Sequence, residues 1–150
     1  MFQYGEIYLF GSPNVKGGQE KMQLCICPIN GIFLLINSND YKGSSFKIVK
    51  KDFFQMSNKE SYISCNAPIH YTSQELKDIK PKKIGHLTLD AQTRLSEHIK
   101  QSIVMPEGDI EIISSIMDTA LKLPQKSPQS TKQPIQDLDD GEEDPEDDGW

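Results

Sequence analysis

Residues 23–37 constrain the fold more than any other stretch. They form two apolar runs, Gln23 to Pro28 and Ile32 to Ile36, joined through Ile29 by Asn30-Gly31. Asn-Gly accepts the positive φ angles of a type I′ turn, whose twist matches that of the strands it joins. A two-residue turn there sets Ile29 opposite Ile32, Cys27 opposite Leu34 and Cys25 opposite Ile36. Side chains alternate between the faces of a strand, and both faces of this pair are apolar. The hairpin is therefore expected at the buried centre of a sheet.

The neighbouring stretches supply the rest of that sheet. Tyr4 to Phe10 reads as a first strand, stopped by Gly11-Ser12-Pro13-Asn14. A long polar loop leads to Lys21. Turn-like residues from Asn37 to Ser45 precede a short strand, Phe46 to Val49, with Phe46 and Ile48 on one face. Residues 52–56 read as a turn that tucks Phe53 and Phe54 inward. Ser61 to Cys65 is a further strand with Ile63 and Cys65 on one face, and Ile69 to Tyr71 extends the sheet beyond Pro68. Thr72-Ser73-Gln74-Glu75 has the form of a capping box and opens a short helical turn that Pro81 cannot continue.

Two longer helices close the pattern. Thr88 caps the first, with Asp90 in its positive first turn. Ala91, Leu95, Ile99 and Ile103 give it one apolar stripe, ended by Pro106 and Gly108. Asp109 caps the second, with Ile110, Ile113, Met117, Ala120 and Leu121 on its buried face, and Pro124 ends it. The expected product is an α+β domain over residues 1–123, a small barrel-like antiparallel sheet with two C-terminal helices. Residues 124–150 read as a disordered Pro/Gln/Ser linker and acidic tail, because they cannot bury enough apolar surface to offset their ordering entropy.

Charge is distributed unevenly. The chain has 16 Lys plus Arg against 22 Asp plus Glu. Nine of the acids fall in residues 135–150, which hold no Lys or Arg, so residues 1–134 carry 16 bases against 13 acids. A mildly basic body thus bears an acidic tail. No apolar run is long enough to span a bilayer, and no export signal is evident, so the expected location is the cytoplasm and no membrane is expected as partner. Three cysteines argue against a disulfide framework.

Several residues are candidates for chemistry. Cys25, Cys27, Cys65 and His70 have the side-chain types of a zinc site, but their spacing is not that of zinc knuckles, and no metal or other cofactor is expected. A Cys65–His70 nucleophile pair lacks a basic neighbour to lower the thiol pKa. His86 and His98 could each serve as a general acid or base, since histidine as a residue type titrates near neutrality. Gly17-Gly18 lacks the pattern of a phosphate loop. Lys77, Lys80, Lys82 and Lys83 form the densest basic cluster and suit phosphate contact, with Tyr71 placed to stack on a base. The tail imitates a phosphate backbone, and Asp147, Asp148 and Trp150 are its candidate partner-binding residues. It resembles the tails by which bacterial and phage single-strand-binding proteins recruit partners.

In order and spacing, residues 4–104 resemble the PemK/MazF/Kid toxins. Tyr4-Gly5-Glu6-Ile7-Tyr8-Leu9 looks like that family's opening strand. Met22 to Pro28 looks like the apolar strand after its polar glycine loop, and Ser61 to Cys65 like its late strand. Lys83-Ile84-Gly85-His86-Leu87 before the helix looks like its closing Gly-x-Leu. The resemblance implies an SH3-like barrel, a homodimer, and metal-independent cleavage of single-stranded RNA through the 2′-hydroxyl and an arginine. Here the matching position holds Lys21-Met22 in place of Arg-Pro, and the only arginine is Arg94. Lysine lacks the planar fork that clamps a phosphate bidentately, so weak or lost endoribonuclease activity is implied. Lys21 would hold the phosphate, and His70 or His86 would move the proton. The alternative is a non-enzymatic interaction protein of a phage or mobile element. Its acidic tail would mimic nucleic acid or dock in a partner's basic groove.

Overall fold

The hairpin lies at the centre of a seven-stranded antiparallel sheet. The computed structural model describes residues 1–11, 16–40, 44–57 and 59–123. Strands β1 (Glu6–Phe10), β2 (Lys21–Cys27) and β3 (Ile32–Asn37) are followed by β4 (Phe46–Val49), β5 (Glu60–Ile63) and β6 (Ile69–His70). Helix α1 (Ser73–Asp78), strand β7 (Lys82–His86) and helices α2 (Leu89–Lys100) and α3 (Glu107–Lys122) complete the described chain. The strand order is β4-β5-β3-β2-β1-β7, with β6 beside β3 off this path. The result is a small α+β domain, an open curled half-barrel with two C-terminal helices.

Both faces of the hairpin are buried. Leu24, Ile26, Ile32, Leu34 and Ile36 join the larger core under α2 and α3, while Cys25 and Phe33 join an aromatic cluster on the opposite face. Phe2 and the α1 residue Leu76 cover that second cluster. The expected register is wrong. Leu24 lies opposite Leu34 and Cys25 opposite Phe33, with a bulge before Cys27 pairs with Ile32. Pro28 has no N–H to continue the ladder, so β2 ends at Cys27 and the turn takes four residues. Ile29 is 87% exposed at its tip.

β3 is the most connected strand. β2 lies along one side of it. The other side is shared, with Ile32 and Phe33 pairing with β6 and Ile36 and Asn37 with β5. The turn after β4 bridges the open sheet. Phe53 is fully buried, and a Cβ on Gly85 of β7 would lie 2.8 Å from its ring. Phe54, expected inside, is 56% exposed, because the tight turn from Val49 sends adjacent side chains opposite ways. Buried Asp52 accepts a 3.0 Å bond from the Val49 N–H and pairs with Arg94 of α2.

The capping reading of α1 stands. Thr72 Oγ1 accepts from Glu75 N–H at 3.1 Å, and the Glu75 carboxylate accepts from Thr72 N–H at 2.8 Å. Thr88 likewise caps α2 through the Ala91 N–H. That helix stops at Lys100, earlier than its stripe suggests. Ala91, Leu95 and Ile99 are buried, but Ile103 is 96% exposed in the connection to α3. Asp109 lies inside the first turn of α3, with Pro106 at the N-cap. Leu123 leaves α3 in an extended conformation, as a residue before proline does. Among the described residues no helix is long and apolar enough to cross a membrane. Residues 12–15 and 41–43 of the loops, and the linker and acidic tail with Asp147, Asp148 and Trp150, lie outside the described residues.

Candidate functional site

Three of the four clustered lysines belong to the sheet edge and its approach. Pro81 and the extended residue Ile79 end α1 and lead the chain into β7, which closes the strand order beside β1. The sequence alone points to no strand at Lys82–His86, and the structure adds this one. Lys83 lies opposite Tyr8 and Lys82 opposite Leu9. Lys83 Nζ is 2.6 Å from a Glu6 carboxylate oxygen, and this bond raises the lysine pKa. Lys77 on α1, Lys80 and Lys82 are exposed and make no ion pair with a carboxylate among the described residues. Lys21 stands across β1, opposite Phe10, and its Nζ donates to Asn37 Oδ1 at 3.2 Å.

Tyr71 is not a surface for stacking. It is 4% exposed, with its ring between Phe10 and Phe33, and its hydroxyl donates a 2.7 Å bond to buried Gln23. Gln23 donates in turn to the Phe10 carbonyl at 3.4 Å. A buried amide on the central strand needs such partners, which draws Tyr71 inward.

The three candidates for catalysis occupy separate places. His86 lies opposite Glu6 and Lys21 opposite Phe10, which separates them by about 13 Å along β1. His70 lies opposite Ile32, and its Nε2 is 3.4 Å from Asp109 Oδ1 at the start of α3. His98 sits against Phe46, 3.2 Å from the Ser44 carbonyl. The guanidinium of Arg94 is held by Asp52 and Asp90. Cys25 and Cys65 are buried in different clusters, and burial pushes both thiols up to about 12. Among the described residues no group of three or more His, Cys, Asp or Glu could hold a metal ion.

No protein-family model matches the chain, and no curated protein matches it. What it can do must therefore be read from its own surfaces. The lysine edge offers point charges to an anionic polymer. A second surface was not foreseen. Between the hairpin and α3 lies an apolar groove of about 320 Å³ lined by Tyr4, Cys27, Pro28, Ile116, Ala120 and Leu123. α3 thus has two apolar sides. Ile113 and Met117 enter the core, while Ile112 and Leu123 remain exposed. The recurrence of Ile112, Ile116, Ala120 and Leu123 at helical spacing carried that signal. Among the described residues the buried Tyr4 hydroxyl has no hydrogen-bond partner, and burial followed by the charge of Asp118 pushes its pKa up to about 12.

Proposed function

We propose that this half-barrel binds single-stranded RNA along the β7 edge and has weak or no cleavage activity, as a degenerate relative of the PemK/MazF toxins. One observation carries the reading: Lys80 and Lys82 stand exposed at one sheet edge and its approach, without carboxylate partners among the described residues, and Lys77 is exposed on the helix before them. Such charges displace counterions from a phosphate backbone, which gives affinity without sequence preference. Weak or lost cleavage follows from the separation of Lys21, His70 and His86 and from the engagement of Arg94 with two carboxylates. General acid–base catalysis needs its groups within hydrogen-bond reach of one reacting centre.

The test is fluorescence anisotropy of labelled single-stranded RNA with the full chain across a salt series. Lys80→Gln with Lys82→Gln should weaken binding at low salt by about tenfold and flatten the salt slope by roughly 0.7 per lost contact. A denaturing gel of the same mixtures should show intact RNA. Equal binding by wild type and double variant overturns the reading.

The interaction-protein reading has its own support in the nine acids without a base that precede Trp150. It requires that replacing Asp147, Asp148 and Trp150 abolish capture of a protein partner, and an unchanged set of captured proteins refutes it.

A further inference from the structure

Leu123 lines the same groove as Tyr4. Gly5 follows Tyr4, and its carbonyl accepts a 2.9 Å bond from the Leu87 N–H. Glu6 in turn pairs with His86. The polypeptide therefore leaves α3 beside the C-terminal end of β7. From His86 the chain runs back through Lys83 and Lys82 to Lys80, a span of about 20 Å. Residues 124–136 reach at most about 45 Å when extended, and the nine carboxylates of residues 137–148 follow.

We infer that residues 137–148 dock in cis along the β7 edge, with their carboxylates as the partners of Lys80 and Lys82. Charge complementarity selects this surface over the groove. The groove is apolar and adjoins the C-terminal turn of α3, where the negative end of the helix dipole opposes added carboxylates. Single exposed ion pairs are weak, but tethering through only thirteen residues holds the partners at an effective concentration on the order of millimolar. Several pairs form together or not at all, and salt weakens them all. Lys83 contributes less because Glu6 already holds it. RNA would have to displace the segment to reach the edge. That regulatory consequence rests on the RNA reading, whereas the docking does not.

Amide spectra of the ¹⁵N-labelled full chain test it against a full-length variant with all nine tail acids changed to amides. At low salt the two proteins should differ in residues 77–86, and the difference should vanish at high salt. Lys80→Gln with Lys82→Gln should remove it as well. Differences confined to 124–150, displaced onto residues 112–123, or indifferent to salt overturn the docking. Differences that grow with protein concentration assign the edge to a second copy and overturn the cis contact. RNA anisotropy on the same two proteins should show about tenfold tighter binding by the amide variant at low salt. Equal affinity overturns the competition. RNA that binds neither protein strikes the RNA reading, and the spectra still decide the docking.

Discussion

Gly31 takes φ +68°, and a Cβ on it would overlap the Tyr71 carbonyl oxygen. Its own carbonyl accepts the Tyr71 N–H at 2.8 Å, which fixes the approach of β6 to the hairpin. Gly18 takes φ +66° with open space around it. Gly18→Ala should therefore cost only the left-handed strain, about 1–2 kcal/mol. Gly31→Ala adds steric overlap and should cost clearly more, about 3 kcal/mol or above. Urea unfolding of the two variants separates the contributions, and equal losses would disprove the overlap. At this scale Asn30-Gly31 was legible as a turn, but its register was not. Pro28 decides where β2 ends, and a turn dipeptide alone does not say how many residues the loop uses. Tyr71 was misread because its partner Gln23 is distant in sequence, and nothing local marks that amide as buried.

The helices pack through α2 residues Leu95 and Ile99 and α3 residues Ile113 and Met117, all fully buried. Polar contacts clip the pair. Ser96 Oγ donates to Asp118 at 2.9 Å, and Lys100 Nζ lies 2.9 Å from the same carboxylate. Removing the Met117 side chain leaves a cavity between two rigid elements, so Met117→Ala should cost about 2–5 kcal/mol. Ile103→Ala, in the exposed connection, should stay within about 0.5 kcal/mol of wild type. Thermal unfolding of both variants checks the contrast that a single long stripe would not produce. The stripe was readable as far as Ile99, and β4 and β5 were readable from alternation. β7 was not, because Lys82-Lys83-Ile84-Gly85-His86 has one large apolar residue and no period. Its strand character comes from pairing with β1, and lysine on such an edge also discourages unwanted strand addition.

The whole molecule has a sealed core on each side of its sheet, and each contains a cysteine. Cys25 lies in the aromatic cluster and Cys65 in the larger core. Burial pushes both thiols up to about 12 from an ordinary 9.0. Above pH 9 the unfolded chain therefore binds fewer protons than the folded one, and stability must fall as pH rises. Full stability from these groups is present below about pH 9 and is lost toward 12, and Tyr4 acts in the same sense from its ordinary 10.0. The urea midpoint should be lower at pH 10 than at pH 8, and a thiol reagent should modify partly exposed Cys27 before the other two. Equal reactivity of all three thiols in the folded protein would refute this. The lysine-bearing body was legible from charge alone. The groove and the separation of the histidines were not, because both depend on how non-neighbouring strands are ordered.

The divided border of β3 also sets a timetable for synthesis. The hairpin can form once Asn37 has emerged, yet its far side stays bare until Ile63 and then His70 arrive. Throughout that interval the nascent chain exposes a greasy, half-satisfied ladder, the stage at which chaperone capture or swapping between copies competes with correct folding.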